Sequence, residues 1–190
     1  MKTLTKFISE VLSNNAKKTV KPKDKEELKQ IIKDTIEREG DKCDLNFIDT
    51  SEIYDMSYLF CENKPTGNLL TFFNGDISKW DVSNVEDMTS MFEFSKFNGD
   101  ISKWDVSKVE NMDSMFVYSQ FNGDISDWDM SNVEIMSHMF AGSKFNGDIS
   151  KWKLPRIKIM KMMFAKCPLY KIYGETPTTL HGHLLNINNR

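Results

Sequence analysis

Cysteine, histidine and proline are scarce in this 190-residue chain, at three, three and five residues. The cysteines, Cys43, Cys61 and Cys167, form no C-x-x-C pair, and their odd count argues against a disulfide framework and for a reducing compartment. The histidines, His138, His181 and His183, belong to no Ser-His-Asp order, and no glycine-rich phosphate loop accompanies them, so catalysis is not expected. No apolar run is long enough to span a membrane. The opening MKTLTKFISEVLSNNA is interrupted by Thr5, Lys6, Ser9 and Glu10, which leaves no secretory signal and makes a cytoplasmic location the expectation. Net charge is only −3, with 10 Lys/Arg against 7 Asp/Glu in residues 1–40 and 15 against 21 afterwards. That balance predicts neither nucleic acid nor membrane as a partner. With 39% hydrophobic residues a core can form, and the length suits one domain or one short array.

What the chain has in abundance is self-similarity. The hexamer Phe-Asn-Gly-Asp-Ile-Ser starts at Phe73, Phe97, Phe121 and Phe145, a period of 24 residues. The first two copies agree at 18 of 24 positions. All four tryptophans (Trp80, Trp104, Trp128, Trp152) share one place in the unit, as do Met88, Met112, Met136 and Met160, and Phe92, Phe116, Phe140 and Phe164. A degenerate copy, FIDTSEIYDMSYLF, precedes them at an offset of 32, one period plus eight residues inserted within ENKPTGNLLTF. The chain therefore reads as five units, of which the first carries a loop. The last departs from the pattern at Trp152-Lys153-Leu154-Pro155, as an end unit without a neighbour should.

Within a unit, Ile77-x-x-Trp80-x-Val82 has the L-x-x-L-x-L spacing of a short strand with Trp80 and Val82 inward and Lys79 and Asp81 outward. Ser83-Asn84-Val85-Glu86, repeated at Ser107–Glu110 and Ser131–Glu134, has the form of a capping box, and Val85, Met88, Met91 and Phe92 then follow a helical period. Pro155 replaces the capping serine in the last unit, where the helix start should be altered. Asn74-Gly75 and its copies suit a turn with positive φ. The expected fold is an α/β solenoid, a leucine-rich-repeat-like stack of about five strand-helix units over residues 41–169, whose parallel sheet would run 20–25 Å at about 4.8 Å per unit. The conserved-in-place Trp, Met and Phe residues make the core ladder. Residues 1–40 supply two helices. Leu4, Phe7, Ile8, Val11 and Leu12 line the first, a docked element or a detachable arm. The second starts at an Asp24-x-x-Glu27 box, buries Leu28, Ile31, Ile32 and Ile36, ends at Gly40 and closes the open end of the core. Residues 170–190 are read as a C-terminal cap or tail.

The pattern F-N-x-D-I-S-x-W-D-V-S-x-V-x-x-M-x-x-M-F resembles the BspA-type leucine-rich repeat family of bacteria and their phages, often filed as a domain of unknown function found in mycoplasma lipoproteins. The resemblance covers about residues 45–169. It implies a strand-and-helix solenoid with a binding role, commonly at a surface, and no catalysis. This chain lacks a signal peptide and a lipobox cysteine, which sets it apart from the secreted members.

Candidate sites are weighed on these grounds. His181 and His183 stand two apart in a tail without further ligands, and a solvated tail is the simpler reading than a metal site. Cys167 falls where Ser95, Ser119 and Ser143 stand, a packing position at a turn. Asp76, Asp100, Asp124 and Asp148 should form one column and Asp81, Asp105 and Asp129 another. Their mutual repulsion calls for turn hydrogen bonds or calcium, with no cofactor otherwise implied. The exposed sheet face, Lys79, Asp81, Lys103, Asp105, Asp127, Asp129, Lys151 and Lys153, is the expected surface for a protein partner, against the alternative of a merely solvated face. Phe94 and Tyr118, late in their helices, are candidates for exposed aromatics or for packing between units. The expectation is a non-catalytic protein-interaction module of bacterial or phage origin. The alternative is a surface or virion protein that adheres to host or glycan.

Overall fold

In the unit from 73 to 96, successive residues close reverse turns by i to i+3 hydrogen bonds: Trp80 N–H to the Ile77 carbonyl, Val85 to Val82, Met91 to Met88, Glu93 to Ser90 and Ser95 to Phe92, at 2.9–3.2 Å. The structure is a computed structural model that describes residues 19–61, 69–174, 179–180 and 183–184. Aspartates start the turns. The Oδ1 of Asp76 accepts from Ser78 N–H at 2.9 Å, that of Asp81 from Ser83 at 3.0 Å, and that of Asp87 from Thr89 at 2.7 Å. A short side-chain acceptor that bonds its own backbone two residues on imitates a turn and competes with strand and helix alike. All three turns recur in the next unit, with Asn111 in the third place, two recur in the fourth unit at Asp124 and Asp129, and one in the last at Asp148. They recur also at Asp44, Asp49 and Asp55 in the degenerate first unit.

The units stack in register. Parallel bridges join Asp55 to Asp87, Asp87 to Asn111, Asn111 to Ile135 and Ile135 to Ile159. Along one strip every second residue donates to the next unit: Met88 to the Asn111 carbonyl, Ser90 to Asp113, Phe92 to Met115 and Phe94 to Val117, all at 2.8–2.9 Å. The indole N–H of each tryptophan donates the opposite way, to the carbonyls of Leu45, Ile77, Ile101 and Ile125 in the preceding units. Inside, Phe60, Phe92, Phe116, Phe140 and Phe164 form one column with centroids 5.3–6.0 Å apart and planes within 5°. Phe73, Phe97, Phe121 and Phe145 form a second, at 6.0–6.3 Å. The two interleave at 4.1–4.5 Å. Trp80 and Trp104 are parallel within 2°. Every tryptophan, methionine and phenylalanine of the expected ladder is buried. Each such side chain contributes roughly 1.5–3 kcal/mol on burial, so the columns hold the array together.

The α/β solenoid of strand-helix units is therefore not the fold. The described residues hold two α-helices, Lys25–Glu39 and Tyr170–Tyr173, and one 3₁₀ turn in the inserted loop, Leu69–Phe72, while residues 73–169 contribute neither a strand nor a helix. The spacing of apolar residues that suggested a helix is produced equally by consecutive turns of three residues, which return side chains to the interior at Val82, Val85, Met88 and Met91. Three features forbid a helix there. The N–H groups of Met88, Ser90 and Phe92 already bond the neighbouring unit. Ser90 and Phe94 have φ of 52° and 56°, as do their counterparts Ser114, Tyr118, His138, Met162 and Lys166 at 51–58°, and such left-handed backbone interrupts a right-handed helix. A helix is also about 10 Å across, twice the roughly 4.8 Å between bonded chains. Ser83, expected to cap a helix, instead lies in the turn after Asp81. Likewise Gly75 has no positive φ. It is required by close approach, since a Cβ there would lie 2.0 Å from the Cys43 carbonyl oxygen.

The N-terminal end is closed by α1, Lys25–Glu39. Asp24 caps it by accepting from Glu27 N–H at 2.8 Å, and Gly40, at φ 88°, ends it. Leu28, Ile31, Ile32 and Ile36 are buried, as their spacing requires. Lys25 bonds Asp55 at 2.6 Å and Ser57 at 2.9 Å, while Lys29 reaches the Tyr58 carbonyl at 3.4 Å. At the other end a short helix α2, Tyr170–Tyr173, sets Tyr173 against Phe164, with centroids 5.4 Å apart. A hairpin of β1, Thr179–Leu180, and β2, His183–Leu184, follows. The expected helix carrying Leu4 to Leu12 lies outside the described residues, and so does His181.

Candidate functional site

The aspartate columns are structural. Besides the serine N–H and hydroxyl bonds that lower the pKa of Asp76, Asp100, Asp105 and Asp124, the turns fix each carboxylate toward its own backbone. Among the described residues no group of three or more His, Cys, Asp or Glu is placed to hold a metal ion. Lys79, Asp81, Lys103, Asp105, Asp127, Asp129, Lys151 and Lys153 are all exposed. They alternate with buried neighbours as expected, yet on a surface of turns with no sheet beneath it. Lys151 bonds Asp127 of the preceding unit at 2.6 Å, which raises the lysine pKa. An exposed pair of this kind is screened by solvent and adds little stability. The face thus also serves the turns, through the Oδ1 atoms of Asp81, Asp105 and Asp129.

A different strip carries the exposed aromatics. Phe94 and Tyr118, 56% and 48% exposed, stack on each other with centroids 5.2 Å apart and planes 11° apart. They are not in helices. Both stand on left-handed backbone at the twenty-second position of their units, where the two side chains are thrown outward, parallel to the strip. The next unit has Gly142 in that position, at φ 67°, and the last has Lys166 at 57°. The column of rings therefore stops at Gly142. Next to it opens a cavity of about 210 Å³ whose walls include Tyr118, His138, Gly142, Met162 and Lys166. The Tyr118 ring leans over the glycine so closely that a Cβ there would meet it at 2.4 Å. Lys166 is exposed and forms no ion pair among the described residues.

Charge changes sign along the array at the same place. Residues 41–134 hold 6 Lys/Arg and 19 Asp/Glu, a net −13, whereas residues 135–174 hold 8 Lys/Arg and one acid, Asp148, a net +7. The totals for the chain and for residues after 40 conceal this division. Counting charge unit by unit finds it, and the glycine interrupting Phe94 and Tyr118 is equally visible once the units are aligned.

The remaining candidates are quiet. Cys167 is buried and its thiol pKa is pushed up by burial. The serines it replaces, Ser95, Ser119 and Ser143, accept from the N–H two residues on. The Cys61 thiol donates to Glu93 at 3.8 Å. Among the described residues no helix is long and apolar enough to cross a membrane.

A family model described as Mycoplasma protein of unknown function, DUF285, matches the chain over residues 26–142 and again over 66–173. No curated protein and no solved structure matches it.

Proposed function

The chain belongs to the family described as Mycoplasma protein of unknown function, DUF285, and from that premise we propose that it is a non-catalytic protein-interaction module. The observation that carries this reading is the pair of stacked, half-exposed rings of Phe94 and Tyr118 held on a scaffold whose interior is already filled. Aromatic side chains presented on a fixed backbone give large contact area at small entropic cost, and they are enriched among the residues that dominate binding energy. The kinship with the BspA-type family is part of the proposal. It rests on the shared Phe-Asn-Gly-Asp-Ile-Ser and Trp-Asp-Val-Ser segments and carries no strand-helix unit with it. The charged positions Lys79 and Lys103 serve as the comparison surface.

The test is capture of a partner from a lysate of the source cells with four immobilised proteins: the natural chain, Phe94→Ala with Tyr118→Ala, Lys79→Glu with Lys103→Glu, and Lys166→Glu. Loss of capture on removing the rings, at a melting temperature within a few degrees of the natural protein, is the expected result. Capture that persists without the rings but fails on reversing Lys79 and Lys103 moves the site to the charged face. Failure to retain any protein, together with recovery of the chain in envelope or particle fractions bound to glycan, replaces the module by an adhesin.

A further inference from the structure

We infer that the cleft beside Gly142 binds an acidic peptide segment of a partner protein by taking one aromatic side chain of that segment as the ring the column lacks. The inference deepens the interaction reading above and rests on it. Two independent observations define the occupant. The first is geometric. The units superpose their side chains position upon position, and at the twenty-second place a ring stands in the second unit and in the third, Phe94 and Tyr118. The fourth unit offers only a hydrogen atom at Gly142, and the fifth offers the Lys166 stem. The Tyr118 ring leans over Gly142, and between it and Met162 and Lys166 two units further on lies the cavity of about 210 Å³. A flat ring entering it meets the Tyr118 face and lies within reach of the Lys166 ammonium, so stacking and cation–π attraction act on the same group. Backbone donors and acceptors in this strip are engaged between units, through Tyr118 N–H to the Ala141 carbonyl and Gly142 N–H to the Ala165 carbonyl. The cleft therefore selects by shape and by charge, not by offering open backbone to a new strand.

The second observation is electrostatic. The cleft sits in the segment of net charge +7, where one aspartate stands among eight Lys and Arg. Lys144 and Lys161 are exposed beside it in sequence, and the Lys161 carbonyl accepts from His138 N–H at 2.8 Å. Such a field attracts an acidic segment and repels a basic one, and it raises the association rate at low salt. The preceding units, at net −13, repel the same acidic segment, which confines it to the far end of the array. A second copy of this chain could present its own exposed ring from an acidic unit, Tyr54 between Glu52 and Asp55, and self-association is therefore an explicit outcome of the test.

The experiment uses the full chain labelled with nitrogen-15 and three acetylated, amidated probes: Glu-Asp-Trp-Asp-Glu, Glu-Asp-Leu-Asp-Glu and Lys-Lys-Trp-Lys-Lys. The expected result is saturable amide shifts from the first probe in residues 114–118, 138–142 and 162–166, with binding weakened at least tenfold when the tryptophan is replaced by leucine. Binding is expected to weaken by a similar factor in Lys166→Glu, to weaken again as salt is raised, and to stay unchanged in Lys79→Glu. Tyr118→Ala should abolish it while retaining the dispersed spectrum of the folded array. Equal binding of the leucine or the lysine probe overturns the inference, as do shifts centred elsewhere or no shifts at millimolar probe. Concentration-dependent line broadening of the free protein that Tyr118→Ala removes also overturns it, by assigning the cleft to a second copy. If the probes fail while capture of a partner still depends on Phe94 and Tyr118, only the cleft's occupant is wrong. If capture is also independent of the rings, the interaction reading falls with it.

Discussion

Replacing Trp104 with alanine removes a side chain that is 4% exposed, lies parallel to Trp80 and within 6.4 Å of Phe92, and donates its indole N–H to the Ile77 carbonyl at 3.2 Å. The transfer and cavity terms for a buried Trp→Ala change come to about 3–5 kcal/mol. The Ile77 carbonyl keeps its bond from Trp80 N–H at 3.1 Å, so the lost indole bond adds little to that cost. For a chain of this size about 2–4 °C of melting temperature corresponds to each kcal/mol, so a drop on the order of 6–20 °C is expected. Trp104→Phe separates the contributions. It keeps most of the apolar mass and forfeits the N–H, and it should cost about 1–3 kcal/mol. Urea unfolding followed by circular dichroism measures both variants, with unchanged dependence on denaturant showing that the same surface is exposed. If the alanine variant lost less than about 1 kcal/mol, the columns would not be what holds the units together. If phenylalanine were as damaging as alanine, hydrogen bonding between units would outweigh packing, and the aromatic columns would not be the main source of cohesion.

Other outcomes follow from the turns and caps. The folded-state pKa values of Asp76, Asp100, Asp105 and Asp124 are depressed by hydrogen bonds from serine. Their contribution is therefore complete above the unfolded value of about 3.9 and disappears as pH falls through the lower folded values. Melting temperature should hold from pH 7 to about 5 and fall below about 4, and the fall should shrink when all four are changed to asparagine, which keeps the Oδ1 acceptor without titrating. Gly75→Ala should destabilise by about 1–3 kcal/mol in a thermal melt, since its Cβ meets the Cys43 backbone at 2.0 Å. Gly123→Ala, which meets a phenylalanine ring at 2.9 Å, should cost less. Asp24→Ala removes the cap of α1 and should cost about 0.5–2 kcal/mol, whereas Asp24→Asn, an equally good cap, should cost little.

The period, the buried positions and α1 are readable from residues because each depends on where apolar side chains recur and on a single cap. Trp80, Met88 and Phe92 face inward whichever local conformation carries them. That conformation is another matter. An L-x-x-L-x-L spacing and an S-x-x-E sequence are compatible with strand and helix, and equally with turns of three residues. The discriminating signal lies in Asp76-Ile77-Ser78, Asp81-Val82-Ser83 and Asp87-Met88-Thr89, a short acceptor two residues before Ser or Thr, complete in this unit and recurring in part in the units that follow. The left-handed residues carry no such mark, since Ser90, Phe94 and His138 are ordinary residues whose φ is imposed by stacking. The candidate site was half visible. Phe94 and Tyr118 stand out by type, while the cleft beyond them arises from what the fourth unit omits.

The bonds between units also bear on how the array is assembled. Along the strip each unit donates N–H groups to its successor's carbonyls, while Lys25 and Lys29 of α1 bond the Asp55 carboxylate and the Tyr58 carbonyl at the opposite end. A nascent chain therefore has a capped end to build upon once the first unit has emerged, and the second unit supplies the carbonyls that its Met56, Tyr58 and Phe60 N–H groups need. A stack of this kind can nucleate at any pair of units and propagate, and the capped amino-terminal end is the base that synthesis delivers first.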